Sequence, residues 1–488
     1  MKKYGDTPVH LAAIYGHLNI VQFLLGRPDV DPDKENQYHR TPLHAAARYG
    51  HINIVKLLLE RPDIDPNQQN KAGKTPLDIA AGKNQFIIFK LLLERTFIEP
   101  QRLYKDGDTV LHTTAKSGEL EMVQMLLETT NIDPNQRNKN RNSVLHKAAG
   151  RGELEIVKLL LESSNININQ KNKNGNTPLH SAISEKHPNI AKLLLERKDI
   201  DPNIANKKGD TPLHFAISGK HLDIVKLLLR RKDIYPNKFT KSGNTPLHYS
   251  VKGGQLEIVQ LLLERTYIDP HIVNMDGDTL LHLAARGGHS IIFQLLSKRT
   301  QIDPNSENKK GETPLHLAVS GKHLDIVKLL LGRKDIYPKK ATKDGDTLLH
   351  SAARGDTPLH SAVRGKHLNI VKLLLEKTDI DPNKANWSGN TPLHYSVKGG
   401  QLEIVQLLLE RTDVDPNIVN MVGDTLLHIL ALSGHPNMLQ LLLDKTEIDP
   451  NKVNTINGDT PLHTAVRSQN LSMVQLFIGR GHRSKYCK

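Results

Sequence analysis

The phrase Thr-Pro-Leu-His, or a near relative of it, returns every 34 residues along this chain. It opens at Thr7, Thr41, Thr75, Thr109, Ser143, Thr177, Thr211, Thr245, Thr279, Thr313 and Thr347. The step then breaks: the phrase recurs at Thr357, ten residues on, and continues at Thr391, Thr425 and Thr460. A fixed step of this size marks one small unit stacked on copies of itself. An array grows by adding units, so a length of 488 residues does not here imply several globular domains.

The unit beginning at Thr41 shows why these residues fold as they do. Thr41 is a good helix N-cap, and Pro42 suits the first helical position, where a missing N–H costs nothing. A short helix through Leu43 and Ala45 to Ala47 ends at Gly50, and its small side chains let neighbouring helices come close. A second helix over about Ile52 to Glu60 is apolar except for Asn53, Lys56 and Glu60. A short helix that apolar must be covered on two sides, so a unit cannot stand alone. The stretch from Arg61 to Lys74 carries Pro62, Pro66 and Gly73 and reads as turns.

With strings such as TPLHAAARYGHINIVKLLLE (41–60) and TPLHLAVSGKHLDIVKLLL (313–331), the chain resembles the ankyrin repeat family over nearly its whole length. The resemblance implies an all-α repeat solenoid of stacked helix-turn-helix units, with β-hairpin fingers and first helices lining a concave side. It implies that the motif Thr and His, as in Thr41 and His44, Thr177 and His180, Thr211 and His214, Thr313 and His316, and Thr391 and His394, are structural. The unit here departs from the family's usual 33 residues by one, which falls after the second helix in strings such as RPDIDPN (61–67). This predicts a longer, proline-stiffened outer turn without loss of the stack.

The array contains copies of itself: residues 245–266 recur identically at 391–412. It also contains a fault. GDTLLHSAAR (345–354) is followed at once by GDTPLHSAVR (355–364), and only the second copy runs in register into HLNIVKLLLE (367–376). The expected organisation is ten repeats over 1–344, an insert and joint at 345–356, four repeats over 357–480 and a short basic tail at 481–488. The step of 35 between Thr425 and Thr460 adds a single residue in a turn. Neither end reads as a dedicated cap, so fraying is expected there.

Catalytic and metal chemistry finds little to work with. Of 25 histidines, 14 close the repeat motif, with Asp78 the one substitution, and eight start second helices. One histidine per unit spreads possible ligands along the stack instead of converging them on an ion. The Asp78 carboxylate is expected to weaken its unit. Gly73-Lys74-Thr75 imitates the end of a phosphate-binding loop, but Gln68 stands where its first glycine belongs. The Asp-Pro-Asn triplets lack the acidic spacing of a calcium loop. No cofactor, metal site or enzymatic activity is expected. The only cysteine, Cys487, points to a reducing intracellular compartment, and no secretory signal or membrane span is read.

Charge is the more informative pattern. The formal net charge is +14. At the expected finger tips, four residues before the motif Thr, stand Lys3, Lys71, Lys105, Lys139, Lys173, Lys207, Lys241, Lys309 and Lys343. Seven residues after it stand Arg48, Lys116, Lys252, Arg286, Arg354, Arg364, Lys398 and Arg467. By the family resemblance both columns face the concave side. An acidic column just before the Thr (Asp108, Asp210, Asp278, Asp356 and others) offsets part of it and suits a helix N-terminus. Units about 10 Å apart place successive lysines about one Debye length from each other, so they can act jointly on an acidic ligand. Beyond the fault the tips turn apolar, at Trp387, Met421 and Ile456, with Met275 the earlier case. Trp387 is a candidate anchor for a partner.

These features point to a monomeric, non-catalytic scaffold for protein–protein interaction, receiving one or more proteins with an acidic or extended surface. The alternative is nucleic acid or anionic lipid on the same basic face; few aromatics interleave the lysines, which disfavours base stacking. A composition rich in Lys, Asn and Ile is compatible with the AT-rich genomes of intracellular bacteria that deliver ankyrin proteins into host cells as effectors. Limited proteolysis of the full chain is expected to nick first near Arg354; resistance equal to that of neighbouring repeats would dispose of the joint.

Overall fold

The computed structural model of the chain describes residues 4–95, 102–163, 165–338, 355–377 and 380–479. It divides into two compact bodies, Met1–Lys241 and Ser242–Lys488. The described residues form 28 helices, two for each of 14 units, and no strand. In the first body the pair Pro42–Tyr49 and Ile52–Leu59 is typical; in the second, Pro314–Ser320 and Leu324–Leu331.

Packing follows the distribution of small and large side chains. First helices meet their neighbours through alanine, as Pro8–Tyr15 meets Pro42–Tyr49, with Ala13 and Ala46 wholly buried. Second helices cover the first from one side through residues such as Val55 and Leu58, both wholly buried. Removing a side chain like Leu58 would forfeit roughly 2–5 kcal/mol, because the neighbouring unit cannot collapse into the space.

Among the described residues the fingers contain no strand, so the expected β-hairpins are not shown. Most are loops closed by the side chain of an asparagine five residues before the motif Thr. Asn70 Oδ1 accepts from the Ala72 and Lys74 amides at 2.9 and 3.2 Å, and Asn206 Oδ1 from the Lys208 and Asp210 amides at 2.8 and 3.0 Å. Most successive fingers share one backbone bond, such as Lys207 N–H to the Asn174 carbonyl at 2.9 Å. One bond per finger is too few for a strand ladder. The approach is close enough to demand glycine: Gly209 has φ +88°, and a Cβ there would stand 2.8 Å from the Lys241 nitrogen.

Near the fault, Thr357 caps the helix Pro358–Arg364, which lies against Pro314–Ser320, while Leu368–Leu375 lies against Leu324–Leu331. The expected joint at 345–356 falls, except for Gly355 and Asp356, outside the described residues, as do Lys3, Lys343, Arg354 and the basic tail. The added residue before Thr460 sits in the finger: Asn454 N–H reaches the Asp459 carbonyl, one residue farther than in the other fingers.

The longer outer turn is a bonding device. In Asp-Pro-Asn the aspartate closes a local turn, as Asp133 Oδ1 does on the Asn135 amide at 2.8 Å. The asparagine then clamps the backbone of the next unit at two points. Asn135 donates Nδ2–H to the Asn165 carbonyl at 2.8 Å and accepts from the Asn167 amide at 2.7 Å. Asn169, Asn203, Asn305 and Asn383 repeat both bonds. Alongside, Arg61 forms a two-pronged pair with Asp63 and donates Nη1–H to the Leu25 carbonyl of the preceding unit at 2.9 Å. Arg197, Arg231 and Arg411 do the same.

Asp33 occupies a clamp position with a side chain that can only accept. Its Oδ2 takes the Asp65 amide at 2.9 Å, and its buried Oδ1 has no donor. Burial, with Asp65, Asp31 and Asp63 nearby, raises its carboxyl pKa against the pull of that one hydrogen bond. A raised carboxyl pKa means stability present at low pH and lost as pH rises through the folded-state value. Asp33→Asn supplies the missing Nδ2–H opposite the Asp63 carbonyl. It is expected to stabilise the first body by about 1 kcal/mol at pH 7 and by less near pH 4, measured by urea unfolding.

Candidate partner-binding face

The motif histidine completes a reciprocal cap and then crosses to the next unit. Thr41 N–H donates to His44 Nδ1 at 3.1 Å, and the Thr41 hydroxyl lies 3.0 Å from the same nitrogen. An Nδ1 that accepts leaves the proton on Nε2, which donates to the Lys74 carbonyl of the following unit at 3.0 Å. The Thr–His contact repeats at Thr177–His180, Thr211–His214, Thr313–His316 and Thr391–His394. The forward bond repeats at His10, His112, His146, His180, His282, His360 and His428, between 2.7 and 3.2 Å. All eight histidines expected to start second helices sit at the N-cap. None caps with its side chain; His51 Nε2 instead reaches back to the Ile14 carbonyl of the preceding unit at 2.9 Å.

Asp78, expected to weaken its unit, has instead a complete set of partners. Its carboxylate accepts from the Thr75 amide and hydroxyl at 2.8 and 2.9 Å, from Arg102 at 2.5 Å and from the Tyr104 hydroxyl at 2.5 Å. Burial pushes the Asp78 carboxyl up while Arg102 and Tyr104 oppose that, and burial with the Asp78 charge pushes the Tyr104 phenol well up. Arg102 and Tyr104, both from the next finger, take over the forward link that histidine makes elsewhere. The signal lay in Tyr104, which stands where most fingers have their closing asparagine.

The finger-tip lysines 71, 105, 139, 173, 207, 241 and 309 are all exposed. The backbones of all but Lys139 are held by the finger-to-finger bonds, while among the described residues their ammonium groups meet no carboxylate. The column on the first helix divides. Arg286 pairs with Asp278 at 2.5 Å and Arg364 with Asp356 at 2.7 Å, as Arg467 does with Asp459 at 2.8 Å. In these three units the aspartate therefore neutralises the arginine of its own unit. Lys116, Lys252 and Lys398 stay exposed and, among the described residues, in no ion pair, and Arg48 lies half-buried. The closing asparagine also reads this acid: Asn308 Nδ2–H donates to Asp278 at 2.9 Å, and Asn386 to Asp356 at 2.8 Å.

The apolar tips are exposed in the second body, Met421 most of all at 74%. Trp387 is half exposed, and its ring lies against the preceding finger, in the space a Cβ on Gly355 would fill. Among the described residues no group of His, Cys, Asp and Glu is arranged to hold a metal ion, and no helix is long and apolar enough to cross a membrane.

The family described as ankyrin repeats, three copies at a time, matches residues 1–70, 62–138, 130–206, 198–274, 266–344, 336–420 and 412–485. The chain belongs to the ankyrin repeat family, whose repeats serve generally as protein–protein interaction modules. No curated protein matches it.

Burial drives the pKa of His44, His146, His180 and His394 down to about 4, against the opposing effect of their backbone partners. The unfolded value is about 6.5, so their neutral forms contribute fully above that pH, and the contribution is lost as pH falls toward 4. Each histidine is expected to add about 1.4 kcal/mol per pH unit to the loss across this window. Urea midpoints measured from pH 7 to pH 4 should fall, and His146→Gln should flatten the slope.

Proposed function

We propose that the chain is a non-catalytic, intracellular binding scaffold whose finger face receives a protein partner with an acidic or extended surface. The observation that carries this is the lysine column: one exposed ammonium per finger at nearly every unit from Lys71 to Lys309, with no internal carboxylate partner. Charges neutralised inside the fold, such as Arg286 and Arg364, stabilise it. Charges left unpaired in register remain available to an external anion and raise its encounter rate.

Nucleic acid fits this face less well. Between residues 104 and 234, where the four tip lysines Lys105, Lys139, Lys173 and Lys207 succeed one another, none of the described residues is a large apolar or aromatic side chain exposed to solvent. Bases would find nothing there to stack on. The wide spacing of single lysines likewise differs from the dense clusters that hold anionic lipid.

The full chain, used as bait at low and at physiological salt, should retain a protein partner more strongly at low salt. Reversing Lys139, Lys173 and Lys207 to Glu should slow association with that partner about tenfold and flatten its salt dependence, with dissociation little changed. Unchanged association kinetics would remove the lysine column from the mechanism.

A further inference from the structure

The unit at Thr41 breaks the charge rule of the face in a way that makes a distinct site. In three other units the residue before the motif Thr is an aspartate in direct contact with the arginine eight positions on: Asp278 with Arg286, Asp356 with Arg364, Asp459 with Arg467. Here both positions are arginine, Arg40 and Arg48. Both line one cavity, and among the described residues neither forms an ion pair with a carboxylate. They fold onto tyrosine rings instead, Arg40 5.2 Å from the centre of Tyr38 and Arg48 5.9 Å from that of Tyr49. Tyr4 and Tyr15 complete the walls of a cavity of about 600 Å³, and the four rings are 42–68% exposed. The one carboxylate on its wall, Asp6, accepts from Asn36 at 2.7 Å, the bond that fingers elsewhere make to this position.

We propose that this cavity is a peptide-binding subsite, taking two carboxylate side chains that flank an aromatic or large apolar residue of an acidic segment. Two guanidinium groups on the walls of one cavity attract anions, and each guanidinium fork matches a carboxylate in two-pronged geometry. The tyrosine walls supply rigid contact area for the residue between, the combination found at energetic centres of protein interfaces. A stack of tip lysines draws an acidic partner in without fixing its register; this subsite fixes it. The inference rests on the reading of the finger face as a protein-binding surface.

Arg40→Asp is the decisive variant. It restores the pair present in three other units and leaves untouched the Arg40 carbonyl that accepts from His10 at 2.7 Å, so the fold should be retained or stabilised. The probe is a fluorescein-labelled peptide, Gly-Ser-Glu-Phe-Glu-Ser-Gly, titrated by anisotropy into the full chain, with a copy carrying glutamine for both glutamates. Arg40→Asp and the glutamine peptide should each weaken binding about tenfold or more, and Tyr15→Ser several-fold. Equal affinity for the two peptides, or wild-type affinity in Arg40→Asp, would overturn the subsite. So would displacement of the peptide by oligothymidylate at lower concentration than by unlabelled peptide. If the Lys139, Lys173 and Lys207 reversals weaken the peptide as much as Arg40→Asp does, the attraction is diffuse and the subsite falls while the scaffold reading stands.

Discussion

Every link in this protein follows from one constraint: a unit of about 34 residues cannot satisfy its own buried polar groups. The motif histidine states the constraint in a single side chain. One ring nitrogen closes the cap of its own helix, and the other must find a carbonyl that belongs to the next unit. A buried N–H without an acceptor would cost several kcal/mol in an apolar setting, so the ring obliges a neighbour to be present. The apolar second helix obliges one for a different reason, since its exposed flank would otherwise face water. Stability is therefore a property of junctions, as expected for a quasi-one-dimensional array.

The three edges of a unit solve the junction differently. At the helix starts the link is histidine to carbonyl. At the fingers it is one backbone bond, with asparagine closing the loop and glycine permitting the approach. At the outer turn it is the asparagine clamp and the arginine that pairs within its own turn while bonding the unit before it. Polar links of this kind fix register, because each needs its partner at one position, whereas leucine and alanine contacts tolerate sliding. The charges that remain unpaired after these links are satisfied are the ones available for binding. That separates the tip lysines, and the arginine pair at Thr41, from the arginines consumed by internal aspartates.

Much of this was legible in the residues. The 34-residue step placed the helices, and Thr-Pro at each start and glycine at many ends delimited the first of each pair. The tip lysines were read as a column, and each one among the described residues is exposed. Other features were hidden for physical reasons. A carboxylate in place of a motif histidine looks like damage until Arg102 and Tyr104 are seen to converge on it from a different unit. The expected β-hairpins are not shown: among the described residues there is no strand, and in most fingers an asparagine side chain closes the loop. The first-helix arginines looked like free charge because their partners lie eight residues back, across the full length of a helix, a spacing at which no local pairing rule operates.

The sequence by itself determined the period, the helix pairs, the membership of the ankyrin repeat family and the in-register placement of lysine. Those are local or periodic properties, set by capping, by hydrophobic spacing and by repetition. Only the tertiary structure decided which charges cancel, which polar side chains bridge units, and that Arg40 and Arg48 line one cavity with four tyrosines. Each of those outcomes depends on where two distant residues stand once the units are stacked. A one-dimensional pattern gives the identities of such residues and leaves their separation open.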